Sequence, residues 1–183
     1  MPEEVLVNHC SPTLAGLKTA NMFVCSFASD RELKDDMRLW NHRLAKRGVR
    51  LLPLRYRQDK ALIYVYRPSR LALDLKNAQA KRLLTEKGYC TESSGRAIAG
   101  LIHRLKTSAE FPHEIGLFLG YPPEDVQGFI DNRAEGCKCV GTWKVYGDVK
   151  AAERTFCRFR KCTEIYRQQW AGGISIERLT VTG

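Results

Sequence analysis

Five consecutive residues near the amino terminus bring together an imidazole, a thiol and two hydroxyl groups: His9, Cys10, Ser11, Pro12 and Thr13. Serine followed by proline is typical of a helix start, where the free backbone amides attract anions and lower the pKa of a nearby thiol. We therefore predict that Cys10 is partly a thiolate and catalytic, and that His9, Ser11 and Thr13 bind the ligand. The alternative is that Ser11 only caps the helix while Cys10 packs beneath it.

A second candidate segment, residues 111–122, places His113 and Glu114 among apolar and turn-forming residues. Such a histidine can act as a general base, or it can bind a metal or haem iron as a neutral imidazole. We predict that both residues are catalytic, with the carboxylate orienting the imidazole; a purely structural histidine is the alternative. Gly116 and Gly120 predict that a neighbouring element or a ligand packs closely against this turn.

A third segment, residues 141–148, reads as part of a strand on which Lys144 and Tyr146 share one face. An ammonium and a phenol on the same face could hold a phosphate or a carboxylate. We predict that both residues bind a small anionic ligand. The alternative is that Lys144 is solvated and Tyr146 covers the edge of the sheet.

The chain has seven cysteines, an odd number that is typical of a protein with reduced thiols rather than disulfides. Zinc sites usually contain Cys-x-x-Cys pairs, and no such pair occurs here. A metal other than structural zinc stays open, and no cofactor is specified by the sequence. The candidate metal ligands are His9, His113, Cys137, Cys139 and Cys162.

Charge and composition narrow the classes of function. The net charge of +10 raises the question of nucleic acid, but the basic residues are spread along predicted helices and no nucleic-acid-binding motif occurs. Nucleotide-binding glycine loops and the common hydrolase motifs are also absent. No apolar run reaches the roughly 18 residues that span a bilayer, and the chain starts with acidic residues, so we expect a cytoplasmic protein without a membrane partner. The oligomeric state stays open.

The length of 183 residues, with 44% hydrophobic residues, predicts a single globular domain over residues 1–183. Apolar spacing predicts helices, and β-branched or aromatic runs predict strands. The predicted helices cover residues 13–27, 30–47, 71–86, 96–106, 113–119, 124–130 and 149–170. Ser93 and Ser94 are candidate caps for the helix that begins at residue 96, and Asp148 is the predicted cap of the last helix. The predicted strands cover residues 49–55, 61–67, 139–146 and 174–181.

These elements predict an α+β fold of the α/β type. Its mixed sheet has about four strands, formed by a central antiparallel hairpin and a C-terminal β-α-β unit, and five to seven helices pack on it.

The three segments together, with the residues after Pro12 and the stretch from Trp143 to Gly147, resemble an uncharacterised bacterial family of domains of unknown function, DUF3793. The resemblance covers nearly the whole chain. It implies no activity, but it favours an iron- or redox-linked role.

Three functions stay open from the residues. The first is a thiol- or iron/redox-linked small-ligand-binding protein or enzyme, with a site formed by residues 9–13, 112–121 and 141–148 around one cavity. The second is a non-enzymatic haem- or metal-binding protein. The third is a nucleic-acid-binding protein that uses its basic helices.

Overall fold

The computed structural model describes residues 1–183, which form two compact units. The first unit comprises residues 1–70 and 161–183, and the second comprises residues 71–160. The helices are α1 (Glu3–Leu14), α2 (Asp30–Leu44), α3 (Pro68–Asp74), α4 (Ala78–Glu86), α5 (Ser94–Thr107), α6 (Ile115–Phe118), α7 (Pro123–Asp131), α8 (Val149–Ala171) and α9 (Ile176–Leu179). The strands are β1 (Ala20–Ser26), β2 (Arg50–Arg57), β3 (Lys60–Tyr66), β4 (Cys139–Val140) and β5 (Lys144–Val145).

The α+β class is confirmed, and so is the central hairpin of β2 and β3. These strands form an antiparallel three-stranded sheet with β1, in the order β1-β3-β2. Apolar residues of α1, α2 and one face of this sheet build the core of the first unit, with Leu6, Leu14, Trp40, Ile63 and Val65 among its most buried members. That the two units together form a single domain over residues 1–183 stays a prediction.

The predicted helix over residues 13–27 is wrong. The first helix begins ten residues earlier, at Glu3. Two glutamates in its first turn stabilise it, because their negative charges lie at the positive end of the helix dipole. Gly16, with a φ of +70°, turns the chain after this helix, and residues 20–26 then form a strand paired with β3. Phe23, whose spacing fits an apolar stripe on a helix, is instead a buried residue of this strand.

The predicted C-terminal strand and the β-α-β unit are also wrong. Residues 176–179 form the single helical turn α9, in which Ile176 and Leu179, three residues apart, bury their side chains together. The hydroxyl of Thr180 donates to the carbonyl of Ile176 at 2.7 Å, which closes this turn. The protein therefore has a three-stranded sheet and a separate two-stranded sheet, with nine helices rather than five to seven.

In the second unit, local capping residues set several element boundaries. Asn77 caps α4 and divides the predicted helix over residues 71–86 into α3 and α4. The predicted caps Ser93 and Asp148 are confirmed, since their side chains accept from the backbone of α5 and α8. The predicted strand over residues 139–146 is instead a tight hairpin, because the chain reverses at Gly141. None of the helices combines the length and apolar character needed to cross a membrane.

Candidate functional site

The first predicted segment lies inside α1 rather than at its start, so the predicted helix start at Ser11 is wrong. Cys10 is fully buried in the core of the first unit. Burial raises the pKa of this thiol well above its usual value, and the neighbouring Lys18 only partly opposes the shift. The prediction that Cys10 is partly a thiolate is therefore wrong, because its environment favours the neutral thiol. Burial also lowers the pKa of Lys18 to about 8.

The other polar groups of this segment are engaged within the first unit. The hydroxyl of Ser11 donates to the carbonyl of Val7, and that of Thr13 donates to Asn21 Oδ1 at 2.7 Å. His9 is exposed, and its ring stacks on Phe23 with 5.2 Å between the ring centroids. Ser11 and Thr13 act here as structural residues, which agrees with the packing alternative for this segment.

The second and third predicted segments, in the second unit, surround a pocket of about 380 Å³. The loop before α6, the turn after it, one face of α7 and the start of β5 supply its walls. Both His113 and Lys144 line this pocket. The residues that line it are Phe111, His113, Ile115, Gly116, Tyr121, Asp125, Val126, Phe129, Trp143 and Lys144.

Ring-bearing side chains supply half of the residues that line the pocket. The rings of Tyr121 and Trp143 stack with 5.0 Å between centroids, and Trp143 also meets Phe156 edge-on at 4.5 Å. The imidazole of His113 meets the ring of Phe129 edge-on at 5.0 Å. Burial raises the pKa of Tyr121 to about 12, as expected for a phenol in an apolar environment.

The side chain of Asp125 joins α7 to the residues on either side of β5. Its carboxylate accepts hydrogen bonds from Trp143 Nε1 at 2.6 Å and from the backbone amides of Tyr146 and Gly147 at 2.8 and 2.7 Å. The side chain is only 3% exposed, so these three donors replace water around the charge. Gly147 permits the close approach, since a Cβ at this position would lie 2.9 Å from Glu124 Cγ and 3.3 Å from Asp125 Oδ1.

Close packing at Gly116 is confirmed. A Cβ at this position would lie 2.8 Å from Val126 Cγ2 and 3.1 Å from Tyr121 Cδ2. Only a glycine therefore allows the turn at α6 to approach these two pocket residues so closely. Gly120 serves the same turn through its backbone, with a φ of +74°.

Glu114 does not orient His113. Its buried carboxylate accepts from the hydroxyl of Tyr89 at 2.8 Å and forms an ion pair with Arg104 Nε at 3.2 Å. Burial and this hydrogen bond raise the pKa of Tyr89. The carboxylate makes no hydrogen bond to His113, so the predicted orienting contact is absent and Glu114 links α5 to the start of α6.

Lys144 and Tyr146 are not brought together as a clamp. Lys144 lines the pocket, whereas the ring of Tyr146 lies against Gly128 of α7, where a Cβ would be 2.5 Å from it. The hydroxyl oxygen of Tyr146 is buried and has no hydrogen-bond partner. Of the predicted pair, only the ammonium is placed to meet a ligand in the pocket.

The candidate metal ligands do not converge. All seven cysteines are free thiols. No group of three or more His, Cys, Asp or Glu side chains is arranged to hold a metal ion. Cys137 and Cys139 are half-buried, and burial raises the pKa of Cys162 to about 11. His9 and Cys162 belong to the first unit, and His113, Cys137 and Cys139 belong to the second.

Three pocket residues on α7 lie outside the predicted site: Asp125, Val126 and Phe129. Their spacing places them on one face of a helix. The signal that could have found them is Asp125, an acidic residue in the first turn of a short helix, next to the segment already singled out.

Comparison with known families places almost the whole chain in one group. Residues 6–180 match the family described as "Protein of unknown function (DUF3793)". No curated protein and no solved structure is significantly similar to this chain. Because the match spans far more than half of the sequence and confirms the resemblance carried by its motifs, the chain belongs to the DUF3793 family.

Proposed function

We propose that this protein binds a small, flat and mainly apolar molecule in the pocket of the second unit. The observation that carries the proposal is the pocket itself, whose walls combine five ring-bearing side chains with only two charged ones. Sites for small molecules are typically concave and apolar, with a few polar groups that fix orientation. The part of the sequence-based proposal that involved residues 112–121 and 141–148 is thereby retained.

The size of the pocket limits the ligand. Its volume of about 380 Å³ lies near the lower end of the roughly 300–1,000 Å³ that ligand pockets span. A molecule with a single ring or with two fused rings fits this volume.

The arrangement of the rings favours a planar ligand. The stacked pair of Tyr121 and Trp143 offers a flat surface, and Phe129 stands on α7 as a further wall of the pocket. Aromatic pairs contribute stabilisation beyond the area they bury when they stack or meet edge-on. Trp143 is itself fixed by Asp125 and Phe156, so its ring is already ordered before a ligand enters. A wall ordered in advance reduces the entropy lost on binding.

Calorimetric titration of the full chain with 2-naphthamide, a neutral two-ring compound, tests the proposal. We expect saturable binding at one site per chain and an affinity at least tenfold weaker in Phe129→Ala, which removes one aromatic wall. Phe27→Ala is the matched control. Phe27 is also half-buried and meets Tyr56 edge-on at 6.2 Å, but it lies in the first unit.

The proposal is wrong if 2-naphthamide does not bind, or if the two variants weaken its binding equally. The haem- or metal-binding and nucleic-acid-binding alternatives have no observation of comparable weight in the structure.

A further inference from the structure

The polar groups of the pocket are unequal in what they can still bind. Asp125 is the only carboxylate that lines it, and both of its oxygens already accept hydrogen bonds from the protein. It therefore has little capacity left for a donor or a cation on a ligand. The remaining charged side chain is Lys144, an ammonium.

Lys144 has no acidic partner. Its Nζ donates to the backbone carbonyl of Ala134 at 2.7 Å and lies 5.9 Å from the centroid of the Phe129 ring. No carboxylate lies within ion-pair distance of it, and an ammonium has three N–H groups, of which the carbonyl uses one. The other two N–H groups can therefore donate to a ligand that enters the pocket.

His113 contacts the same ring, with 5.0 Å between the centroids of the imidazole and of Phe129. The exposed imidazole makes no hydrogen bond within the chain, so its ring nitrogens are available to a ligand. An imidazole nitrogen can donate to an anion in either protonation state of the ring. The pocket therefore presents two side chains that still have unused N–H groups next to an aromatic wall, and it presents no unused acidic side chain.

We propose that the ligand carries an acidic group, so that the protein binds an aromatic carboxylate whose carboxyl oxygens accept from Lys144 and His113 while its rings lie against Trp143 and Phe129. This inference rests on the proposed function and specifies the class of its ligand. Charge-assisted hydrogen bonds in an apolar site are about twice as strong as neutral ones, so the acid should be preferred over its amide.

Three probes with the same rings test this inference by calorimetry on the full chain: 2-naphthoate, 2-naphthamide and 2-naphthylmethylamine, at pH 7 and low salt. We expect 2-naphthoate to bind at least tenfold more tightly than the amide, and the amine to bind most weakly. Lys144→Met should bring the affinities for 2-naphthoate and the amide to within about twofold of each other. His113→Phe, which keeps a ring against Phe129, should reduce the preference by a smaller factor.

Lys138→Met is the matched control. Lys138 lies next to β4, and its Nζ also donates to a backbone carbonyl, that of Gly147 at 3.1 Å, but the side chain is exposed and does not line the pocket. This variant should keep the full preference for 2-naphthoate.

The possible results separate the inference from the proposed function. If the amide binds as tightly as 2-naphthoate, or if the preference survives in Lys144→Met, the aromatic-acid inference is overturned while the small-molecule pocket stands. If none of the three probes binds, both fall together. A preference for the amine would point instead to a cationic ligand and would also overturn the inference.

Discussion

Two segments of similar chemical character have opposite surroundings in this protein. The segment from His9 to Thr13 carries a thiol, hydroxyls and an imidazole, but its thiol and hydroxyls are buried and serve the packing of the first unit. The segment around His113 carries fewer such groups, yet it surrounds an open pocket in the second unit. Residue type alone therefore does not distinguish a site from a core, because what matters is whether the polar groups still have unused hydrogen-bonding capacity.

The buried side chain of Arg67 forms structural hydrogen bonds at the end of this first segment. Arg67 is 2% exposed and donates to the carbonyls of Thr13 and Leu14 at 2.6 Å each and to that of Val181 at 2.7 Å. Two of these carbonyls lie at the end of α1, where they also accept the backbone amides of Gly16 and Val181, and the third lies near the C-terminus. The guanidinium thus acts as a C-terminal cap for the helix that contains Cys10.

The largest effect that we expect is from Arg67→Met. It removes the donors from at least three carbonyls at once and should lower the free energy of unfolding by about 4 kcal/mol. Urea denaturation measures the change. Arg70→Met, at an exposed position of α3, is the control and should change stability by less than about 0.5 kcal/mol. Equal effects of the two substitutions would contradict the capping role.

In the pocket, the equivalent structural group is Asp125. Asp125→Asn replaces one oxygen by an amide nitrogen that faces an N–H donor, and it should lower the free energy of unfolding by about 2 to 3 kcal/mol. Asp131→Asn, on the same helix, is the matched control, because its carboxylate is exposed and accepts only from Gln127. A loss of stability no larger than that of the control would show that Asp125 is not needed to join α7 to the β4–β5 hairpin.

Cys10 offers a direct test of the difference between the two regions. Cys10→Ala should cost about 1 to 2 kcal/mol through lost packing while leaving the affinity for 2-naphthamide unchanged. The pH dependence should also change. The unfolded chain ionises this thiol above its usual pKa of 9.0, whereas the folded state keeps it protonated. Ionisation therefore favours the unfolded state, so the free energy of unfolding of the wild-type protein should fall as the pH rises above about 9. The variant lacks the thiol and should not show this fall.

Thiol alkylation followed by peptide mass spectrometry checks the same point in the native protein at pH 8. The exposed Cys90 and Cys157 should react first, and Cys10 should stay protected. Rapid modification of Cys10, or loss of ligand binding in Cys10→Ala, would restore the first segment as a functional site.

The smallest effect concerns the shape of the pocket. Gly116→Ala places a methyl group against Val126 and Tyr121, which must shift, so the affinity for 2-naphthamide should fall about fivefold. Gly95→Ala is the control, since a Cβ at this position meets nothing within 4 Å. An unchanged affinity in Gly116→Ala would mean that the wall near α6 does not contact the ligand.

Sequence patterns predicted the fold best where a local signal was strong. The helix at residues 30–44 has buried apolar residues at spacings of four, three and four, and Gly48 ends the turn that follows it. The central hairpin has two β-rich runs around a short polar turn. The two ends of the chain were predicted wrongly because short apolar runs fit a helix or a strand equally well. Their state depends on pairing and packing with distant residues, which spacing along the chain does not reveal.

The candidate site was predictable only in part, for a similar reason. The turn around His113 was identified from its residue types and its glycines, and Lys144 was identified from the strand face that it was predicted to share with Tyr146. Both His113 and Lys144 line the pocket. The partners that decide their roles are remote in sequence. Glu114 accepts from Tyr89 and pairs with Arg104, and Asp125 accepts from Trp143. None of these contacts could be predicted from the residues next to Glu114 or Asp125 in the sequence.

The most direct test of the small-molecule pocket uses the three tryptophan indole N–H signals in a proton–nitrogen correlation spectrum of the full chain. Trp143 lines the pocket, whereas Trp40 and Trp170 belong to the first unit. Addition of 2-naphthoate should shift the signal that is lost in Trp143→Phe and leave the other two within the line width. A shift of the Trp40 or Trp170 signal with no change at Trp143 would contradict the placement of the site.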